Sequence, residues 1–388
     1  MKRVDIIISG GGMIGSIAAV AASRQGLSVL LIEAQAASTI KQDSSRDLRV
    51  SAISADNINY LKGLGIFTHL LQDRIQSYSK MHVWDNRGDG EITFEADYAQ
   101  NDCLGYLMEN NNLVQAAWNS LDDNCQTVQQ TQIKSIENEG AQIRVELSNG
   151  DKYKSRLLIA AEGRNSFVRA YAQIKTKETP YHQKGLVSYI KIENAPIQTA
   201  LQAFNAGGPI GILPINEAEK IFSIVWSLPE QQADDWLQCE QQIFEQGVTK
   251  AIGKDFGKIT LLSKRAAFPL TQLYAQAYFK NRIVLCGDSA HGVHPLAGQG
   301  VNLGIGDIQQ LLKVIDASVL KDDDLLHQSL RKYQRRRISK VKETSEMMSI
   351  LHHLFKDDEH IKKPLRNIGL KVINKLPFKK WLAGQAGS

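Results

Sequence analysis

Residues 4–33 read VDIIISGGGMIGSIAAVAASRQGLSVLLIE. The apolar run Val4 to Ser9 has the length of a buried strand. Gly10, Gly12 and Gly15 spell G-x-G-x-x-G, a small-residue helix is expected from Ile14 to Gln25, and a second strand, Ser28 to Ile32, ends at Glu33. In this context each glycine has a task. The first makes the tight turn, the second lets the backbone approach a pyrophosphate, and the third lets the helix lie close on the sheet. Glu33 is placed for the ribose hydroxyls of an adenosine, and its charge disfavours a 2′-phosphate in the same slot. The stretch therefore predicts a Rossmann-like dinucleotide-binding unit for NAD or FAD. No second G-x-G-x-x-G follows. The chain is then either a simple NAD enzyme or a flavoprotein that meets NAD(P)H without a second such unit.

A second stretch, Arg282 to Asp307, reads RIVLCGDSAHGVHPLAGQGVNLGIGD. A strand over Ile283 to Cys286 runs into Gly287 and Asp288. Pro295, Gly298, Gln299 and Gly300 then precede a helical pattern from Val301 onward. Glycines at such a turn admit a ligand close to the backbone. The unpaired N–H groups of a helix start favour an anion or an electron-rich oxygen. Asp288 offers a carboxylate to hydroxyls. The stretch reads as a site for a ligand with both hydroxyls and developing negative charge. His291 and His294 lie three apart but lack a third ligand at motif spacing, so no metal is expected.

The remaining composition narrows the class. With 388 residues the chain has room for two or three domains, or one with a large insertion. Its four cysteines form no CxxC pair, which argues against disulfide-reductase chemistry and structural zinc and fits a reducing compartment. The start resembles a signal peptide only superficially, because Asp5 and Gly10 to Gly12 interrupt the apolar run. No stretch has the ~18 uninterrupted apolar residues of a membrane span. Charge is unevenly placed: residues 331–388 hold 15 Lys and Arg against 5 Asp and Glu, while the whole chain is only +5. Such a segment reads equally as a solvated helical face and as a face for an anionic membrane. No nucleic-acid motif is present, and no nucleic-acid partner is expected.

Between the two glycine turns, Arg46 and Arg49 follow the first βαβ unit, where an arginine suits a pyrophosphate. Asn110 to Asn112 are expected to cap a helix over Leu113 to Leu121, with side chains that also suit a ligand. Gln132 to Leu147 and Lys152 to Ala160 read as strands joined at Asn149-Gly150. Glu162-Gly163 then forms another turn, with Asn165 and Ser166 as caps for the next helix. Gly185 to Glu193, Gln202 to Leu213 and Ile221 to Leu228 read as a separate sheet that supplies a substrate pocket. Phe204, Ile212, Leu213 and Trp226 are candidates for its lining.

Three pieces in order, GGGMIG with Glu33, AAEGRNSFVR and GDSAHGVHPLAGQGVN, resemble the single-component FAD-dependent aromatic hydroxylases of the para-hydroxybenzoate hydroxylase type. DLRVSAIS, MHVWDNRGDGEITF, LGYLMEN, FSIVWSLPE and RNIGLKVINKLP are similar to the ubiquinone-biosynthesis hydroxylases among them, the UbiH, UbiF and UbiI/VisC family, with UbiI-type members nearest. The resemblance implies an α/β fold with an α+β insertion, in which a Rossmann-like FAD-binding domain carries a mixed-sheet substrate domain. FAD-binding parts are expected at 1–75, 111–180 and 273–330, substrate-domain strands at 76–110 and 181–272, and a basic helical segment at 331–388. Gly10, Gly12, Gly15 and Glu33 match the ADP-binding positions, Arg49 the arginine near the pyrophosphate, and Gly287 and Asp288 the pair that holds the ribityl chain. Pro295, Gly298, Gln299, Gly300, Val301 and Asn302 match the turn and helix start beside the flavin ring. Asn110 and Glu162 are further cofactor-contact candidates. Two positions depart from the pattern: Glu162 stands where aspartate is usual, and Ser289 where alanine is usual.

The implied activity is a monooxygenase that uses NAD(P)H and O2, through a C4a-hydroperoxyflavin, to hydroxylate a polyprenyl phenol or quinol of ubiquinone biosynthesis. The C5 position is favoured and C6 is second. No residue is identified as a catalytic base. The expected setting is cytoplasmic, peripheral on the inner membrane, with contact to the membrane or to ubiquinone-biosynthesis partner proteins. Two alternatives are another FAD oxidoreductase on the same fold and a non-catalytic subunit of a ubiquinone-biosynthesis complex.

Overall fold

The computed structural model of the chain describes residues 1–356 other than 37–38, 42–43, 100–101, 206 and 293–298, with backbone alone for 98–99, 299 and 347–356. A six-stranded sheet forms the centre. Its order is Phe279–Lys280, Ile283–Leu285, Leu157–Ala160, Ile6–Ser9, Val29–Ile32, Cys125–Val128, and every neighbouring pair is parallel except the first. Ile6, Ile7 and Ile8 are fully buried, as are Leu157, Leu158 and Ile159. Unbroken apolar runs of this kind suit parallel strands covered on both faces. The helix Met13–Arg24 lies on one face, and its buried Ser16, Ala18, Ala19 and Ala22 let it pack tightly between the sheet and the helices Asn110–Asn119 and Gln299–Leu312. The carboxyl ends of four strands lead into Gly10, Glu33, Ala161 and Cys286. Ligands bind open α/β sheets at this edge.

A nine-stranded mixed sheet stands beyond that edge. It is built from Lys80–Asp85, Glu91–Glu95, Thr176–Ile192, Thr199–Phe204, Ile210–Asn216, Ile221–Pro229, Ile259–Leu261, Ala266–Ala275 and His291–Gly292. One of its faces packs Leu186, Ile190, Ile212, Ile224 and Trp226 against the helices Glu230–Gln238 and Gln241–Ile252. A small antiparallel sheet of Val50–Ser54, Gly105–Glu109 and Ile75–Tyr78 sits between the two larger ones. The long helix Asp323–Lys356 packs on Gln299–Leu312.

Local readings change in three places. The run 132–147 is two strands, Ile133–Asn138 and Ile143–Leu147, because Gly140 turns the chain at φ +74°. Lys152–Ser155 pairs with the second of these through the Asn149-Gly150 turn, but Leu157–Ala160 belongs to the parallel sheet. The helix read as Leu113 to Leu121 is Asn110–Asn119; its cap position is Glu109, so the asparagines do not cap it. The strand Gly105–Glu109 runs straight into that helix and leaves no loop residue for a cap.

Candidate functional site

A single cavity of about 910 Å³ opens at the carboxyl edge of the parallel sheet and continues to the nine-stranded sheet. Gly10, Gly12 and Glu33 line one part and Asp288, Gly300 and Val301 another, so the two glycine turns face the same space. Its far wall is apolar and includes Met81, Val187, Leu213, Val225 and Leu270. The volume lies in the range of about 300–1,000 Å³ common for ligand pockets.

At the first turn, Gly10 has φ +100°, and a Cβ there would stand 2.4 Å from the Ala161 carbonyl oxygen. A Cβ on Gly15 would stand 1.8 Å from the Gly10 carbonyl oxygen, so the helix starts in direct contact with the turn. A Cβ on Gly12 would meet nothing within 4 Å. Gly12 is also the helix cap and supplies no side-chain acceptor, so the first N–H groups are offered toward the cavity. Glu33 Oε2 accepts from the Gly11 N–H at 2.6 Å and Oε1 from Gln35 N–H at 2.9 Å. The turn, the open helix start and the acid together form an anion cradle beside a hydroxyl acceptor. These residues fit the pyrophosphate and ribose of FAD.

The second turn is a 3-10 turn, Gly287–Ser289, with Gly287 at φ +59°. Asp288 lines the cavity with its surface open to that space, while the protein around it keeps bulk water at a distance. Burial pushes its carboxyl up from the ordinary value; the His291 and Arg164 charges pull it down, and the Asp307 charge adds to the rise. Behind the turn, Asp307 is fully buried. Its Oδ2 accepts from the Gly287 N–H at 2.8 Å and pairs with His291 Nε2 at 2.7 Å, and its Oδ1 accepts from Arg337 Nε at 2.6 Å. Burial alone would raise the Asp307 carboxyl. The charges of His291 and Arg337, with the hydrogen bonds from His291 and Gly287, overcome this and hold it below the ordinary value. His291 is thus engaged with a carboxylate; His294 lies outside the described residues.

The other expected residues divide by what they touch. Arg49 lines the cavity and is largely exposed, 3.9 Å from Asp47, whereas Arg46 turns away to Glu109 at 3.2 Å. Asn110 lines the cavity while accepting from Ser51 Oγ at 2.7 Å. Both Glu162 oxygens are engaged: Oε1 with Ser9 Oγ at 2.7 Å, and Oε2 with Ser166 Oγ at 2.5 Å and Val168 N–H at 2.9 Å. Ser166, not Asn165, caps the helix Phe167–Tyr171. Asn302 lies behind the cavity, donating to the Ala52 carbonyl at 2.8 Å and accepting from Ser54 N–H at 3.0 Å. It pins the helix Gln299–Leu312 to the small sheet. Pro295 and Gly298 lie outside the described residues, as does the Gln299 side chain; residues 357–388 of the basic segment do too.

Of the wall candidates, Leu213 faces the cavity, while Ile212 and Trp226 sit in the core behind the sheet and Phe204 packs with Val83 and Ile92. Adjacent strand residues point to opposite faces, so Ile212 and Leu213 never share a wall. Three contributors were missed. Trp118 donates from Nε1 to the Gly11 carbonyl at 2.8 Å. Asp307 and Arg337 form the buried pair described above. A signal for Asp307 exists: an acid on the stripe of buried Leu303 and Leu311, spaced four residues either side.

A family model described as "FAD binding domain" matches residues 3–346. The chain is 30% identical to the zebrafish (Danio rerio) protein named ubiquinone biosynthesis monooxygenase COQ6, mitochondrial, over 96% of this chain and 87% of that protein. It is 30% identical to the Escherichia coli (strain K12) 3-demethoxyubiquinol 3-hydroxylase, over 95% of this chain and 94% of the other. Among solved structures, pqsL of Pseudomonas aeruginosa, a probable FAD-dependent monooxygenase, superposes with TM-score 0.76 at 21% identity, covering 96% of this chain and all of the other. The p-nitrophenol 4-monooxygenase PnpA of Pseudomonas putida superposes with TM-score 0.79 at 13% identity, covering 100% and 98%. These two show the fold. Given the FAD-binding match over most of its length and its full-length likeness to hydroxylases of ubiquinone biosynthesis, the chain belongs to the family of FAD-dependent monooxygenases.

Proposed function

We propose that this chain hydroxylates the aromatic ring of a polyprenyl phenol or quinol in ubiquinone biosynthesis. The observation that carries the reading is the continuity of one cavity from the Gly10–Glu33 turn, past Asp288, to an apolar sheet wall. Bound FAD supplies the redox chemistry, taking electrons from NAD(P)H and activating O2. The protein supplies position and field. The open helix start at Gly12 binds the pyrophosphate, and Glu33 accepts from the ribose hydroxyls. Arg49, exposed in the same cavity, would add a cation. Asp288 accepts from the ribityl hydroxyls. The start of the helix Gln299–Leu312, whose Gly300 and Val301 line the cavity, would offer N–H groups and the positive end of its dipole to negative charge on the flavin. Glu162 also lines the cavity, where it ties Ser9 to the helix start at Val168 and holds the turn beside the cofactor. In this division residues 1–75, 111–180 and 273–330 hold the cofactor. Strands within 76–110 and 181–272 supply the substrate wall, where Val187, Leu213 and Val225 keep water from the reacting ring.

Turnover tests the reading. With 18O2, the purified chain and a polyprenyl phenol, NAD(P)H oxidation is expected to rise with the phenol and to place one labelled oxygen on the ring, at C5, with C6 the second expectation. NAD(P)H oxidation indifferent to the phenol, or an unlabelled phenol, contradicts it. A folded chain with no affinity for FAD favours the non-catalytic subunit instead.

The polyprenyl substrate class makes peripheral membrane attachment part of this reading. No helix among the described residues is long and apolar enough to cross a membrane. Arg331, Lys332, Arg335 and Arg336 are exposed along the helix Asp323–Lys356. Basic residues near an anionic surface contribute about 1 kcal/mol each. Replacing these four by glutamate is expected to abolish sedimentation with phosphatidylglycerol vesicles at low salt and to leave FAD content unchanged. Undiminished sedimentation of that variant contradicts the attachment.

A further inference from the structure

The C-terminal helix does more than present a basic face. Arg337, within that helix, is buried among polar partners: Nε donates to Asp307 Oδ1 at 2.6 Å and Nη2 to the Leu303 carbonyl at 2.8 Å. Asp307 passes the contact on. Its second oxygen takes the Gly287 N–H and His291 Nε2. His291 is fully buried, with its ring stacked on Tyr278 at 5.9 Å and its backbone paired with Tyr274. Gly287 is in the left-handed region at φ +59°, and a Cβ there would stand 3.0 Å from the Ile14 side chain, so the turn has little room to shift. The next residue is Asp288, in the cavity. A second anchor holds the same helix to the neighbouring strand: Ser345 Oγ bonds to Tyr274 Oη and accepts from Gln272 Nε2 at 2.9 Å.

We propose that Arg337 and Asp307 are positioning residues for the cofactor: through this buried pair the C-terminal helix fixes the Gly287 N–H and His291, and so sets where Asp288 points. The proposal rests on the reading that Asp288 holds the ribityl chain. Two carboxylates flank the turn, Asp288 in front and Asp307 behind. The groups facing them are His291, Arg164 and Arg337, with Tyr278, Tyr333 and Cys286 packed around Asp307. Arg337 and His291 compensate Asp307, which limits how far its charge adds to the rise that burial imposes on the Asp288 carboxyl. Without Arg337, an under-compensated Asp307 favours protonation of Asp288, and cofactor affinity becomes sensitive to pH in the carboxylate range. A pair that merely held the fold together would leave that profile unmoved.

The test titrates FAD into the deflavinated full-length chain, followed by flavin fluorescence from pH 5 to pH 8. Arg337→Met is expected to weaken FAD binding by roughly tenfold or more at neutral pH, the worth of one charge-assisted hydrogen bond, and increasingly so toward low pH. Arg337→Lys is expected to restore the wild-type pH profile and part of the affinity. The double variant Asp307→Asn/Arg337→Met removes both charges, so it leaves neither partner buried alone and keeps a foldable version in hand should the single variant not fold. It too is expected to bind FAD weakly, because the Gly287 N–H loses its carboxylate, but without the pH slope that Arg337→Met adds. Wild-type affinity and an unchanged pH profile in both variants, alongside weakened binding in Asp288→Asn, overturn the positioning role. Wild-type affinity in Asp288→Asn overturns the reading of Asp288 on which it rests.

Discussion

A chain carrying Gly12→Asp is expected to fold as the wild type does and to purify without flavin. Gly12 caps the helix Met13–Arg24 at φ −67°, ψ −169°, a conformation open to any residue, and a Cβ there would meet nothing within 4 Å. Aspartate is moreover a favoured cap, so the helix gains an acceptor for its own N–H groups. The same carboxylate occupies the place where a pyrophosphate must lie. Two unit charges about 4 Å apart repel by on the order of 4 kcal/mol at the effective dielectric of a protein surface, so FAD affinity should fall by roughly a hundredfold or more. Visible absorbance of the purified protein and fluorescence titration both read it, with thermal melting as the control for folding. Gly12→Ala adds bulk at the same place without the charge, so it should weaken FAD binding, but clearly less than Gly12→Asp does. A yellow Gly12→Asp protein would remove this helix start from the cofactor site.

Asp307→Ala should cost about 3–5 kcal/mol of stability near neutral pH, because it leaves the Arg337 guanidinium buried without its carboxylate. Urea denaturation measures the loss. The sign of its pH dependence follows from the depressed Asp307 carboxyl. A carboxyl whose folded pKa lies below its unfolded value stabilises the fold fully above the unfolded value, about pH 4, and loses that contribution as pH falls through the folded one. The gap between wild type and Asp307→Ala is therefore expected to be constant from neutral pH down to about pH 5 and to narrow below that. A gap that widened on acidification would show that Asp307 is not held ionised by His291 and Arg337.

The parts of the site that were legible in the sequence are those whose contacts are local. Gly10, Gly12, Gly15 and Glu33 fall within one strand–turn–helix–strand unit, and the acid meets the turn at Gly11 only 22 residues away. The contacts that escaped run far along the chain. Trp118 reaches Gly11 across 107 residues, Arg46 is drawn to Glu109 across 63, and Asp307 finds Arg337 across 30. No periodicity encodes those meetings. Asn110 shows a local rule overridden: asparagine is a strong cap, but the incoming strand gave that position to Glu109, and the Asn110 side chain accepts from Ser51 instead. Glu162 shows the reverse. Its departure from aspartate was visible in the sequence, while its consequence needed the fold. The longer side chain reaches Ser9 on one side and the start of the helix Phe167–Tyr171 on the other. The wall candidates erred by face, since alternation along Ile210–Asn216 sends Leu213 to the cavity and Ile212 to the core behind.

The central claim is that one FAD spans the cavity from Glu33 to Asp288. Equilibrium titration of FAD, ADP and FMN against wild type, Glu33→Ala and Asp288→Ala addresses it most directly. The expected result is that both variants bind FAD more weakly, with ADP affinity lost only in Glu33→Ala and FMN affinity lost only in Asp288→Ala. Unchanged FAD affinity in either variant would contradict it.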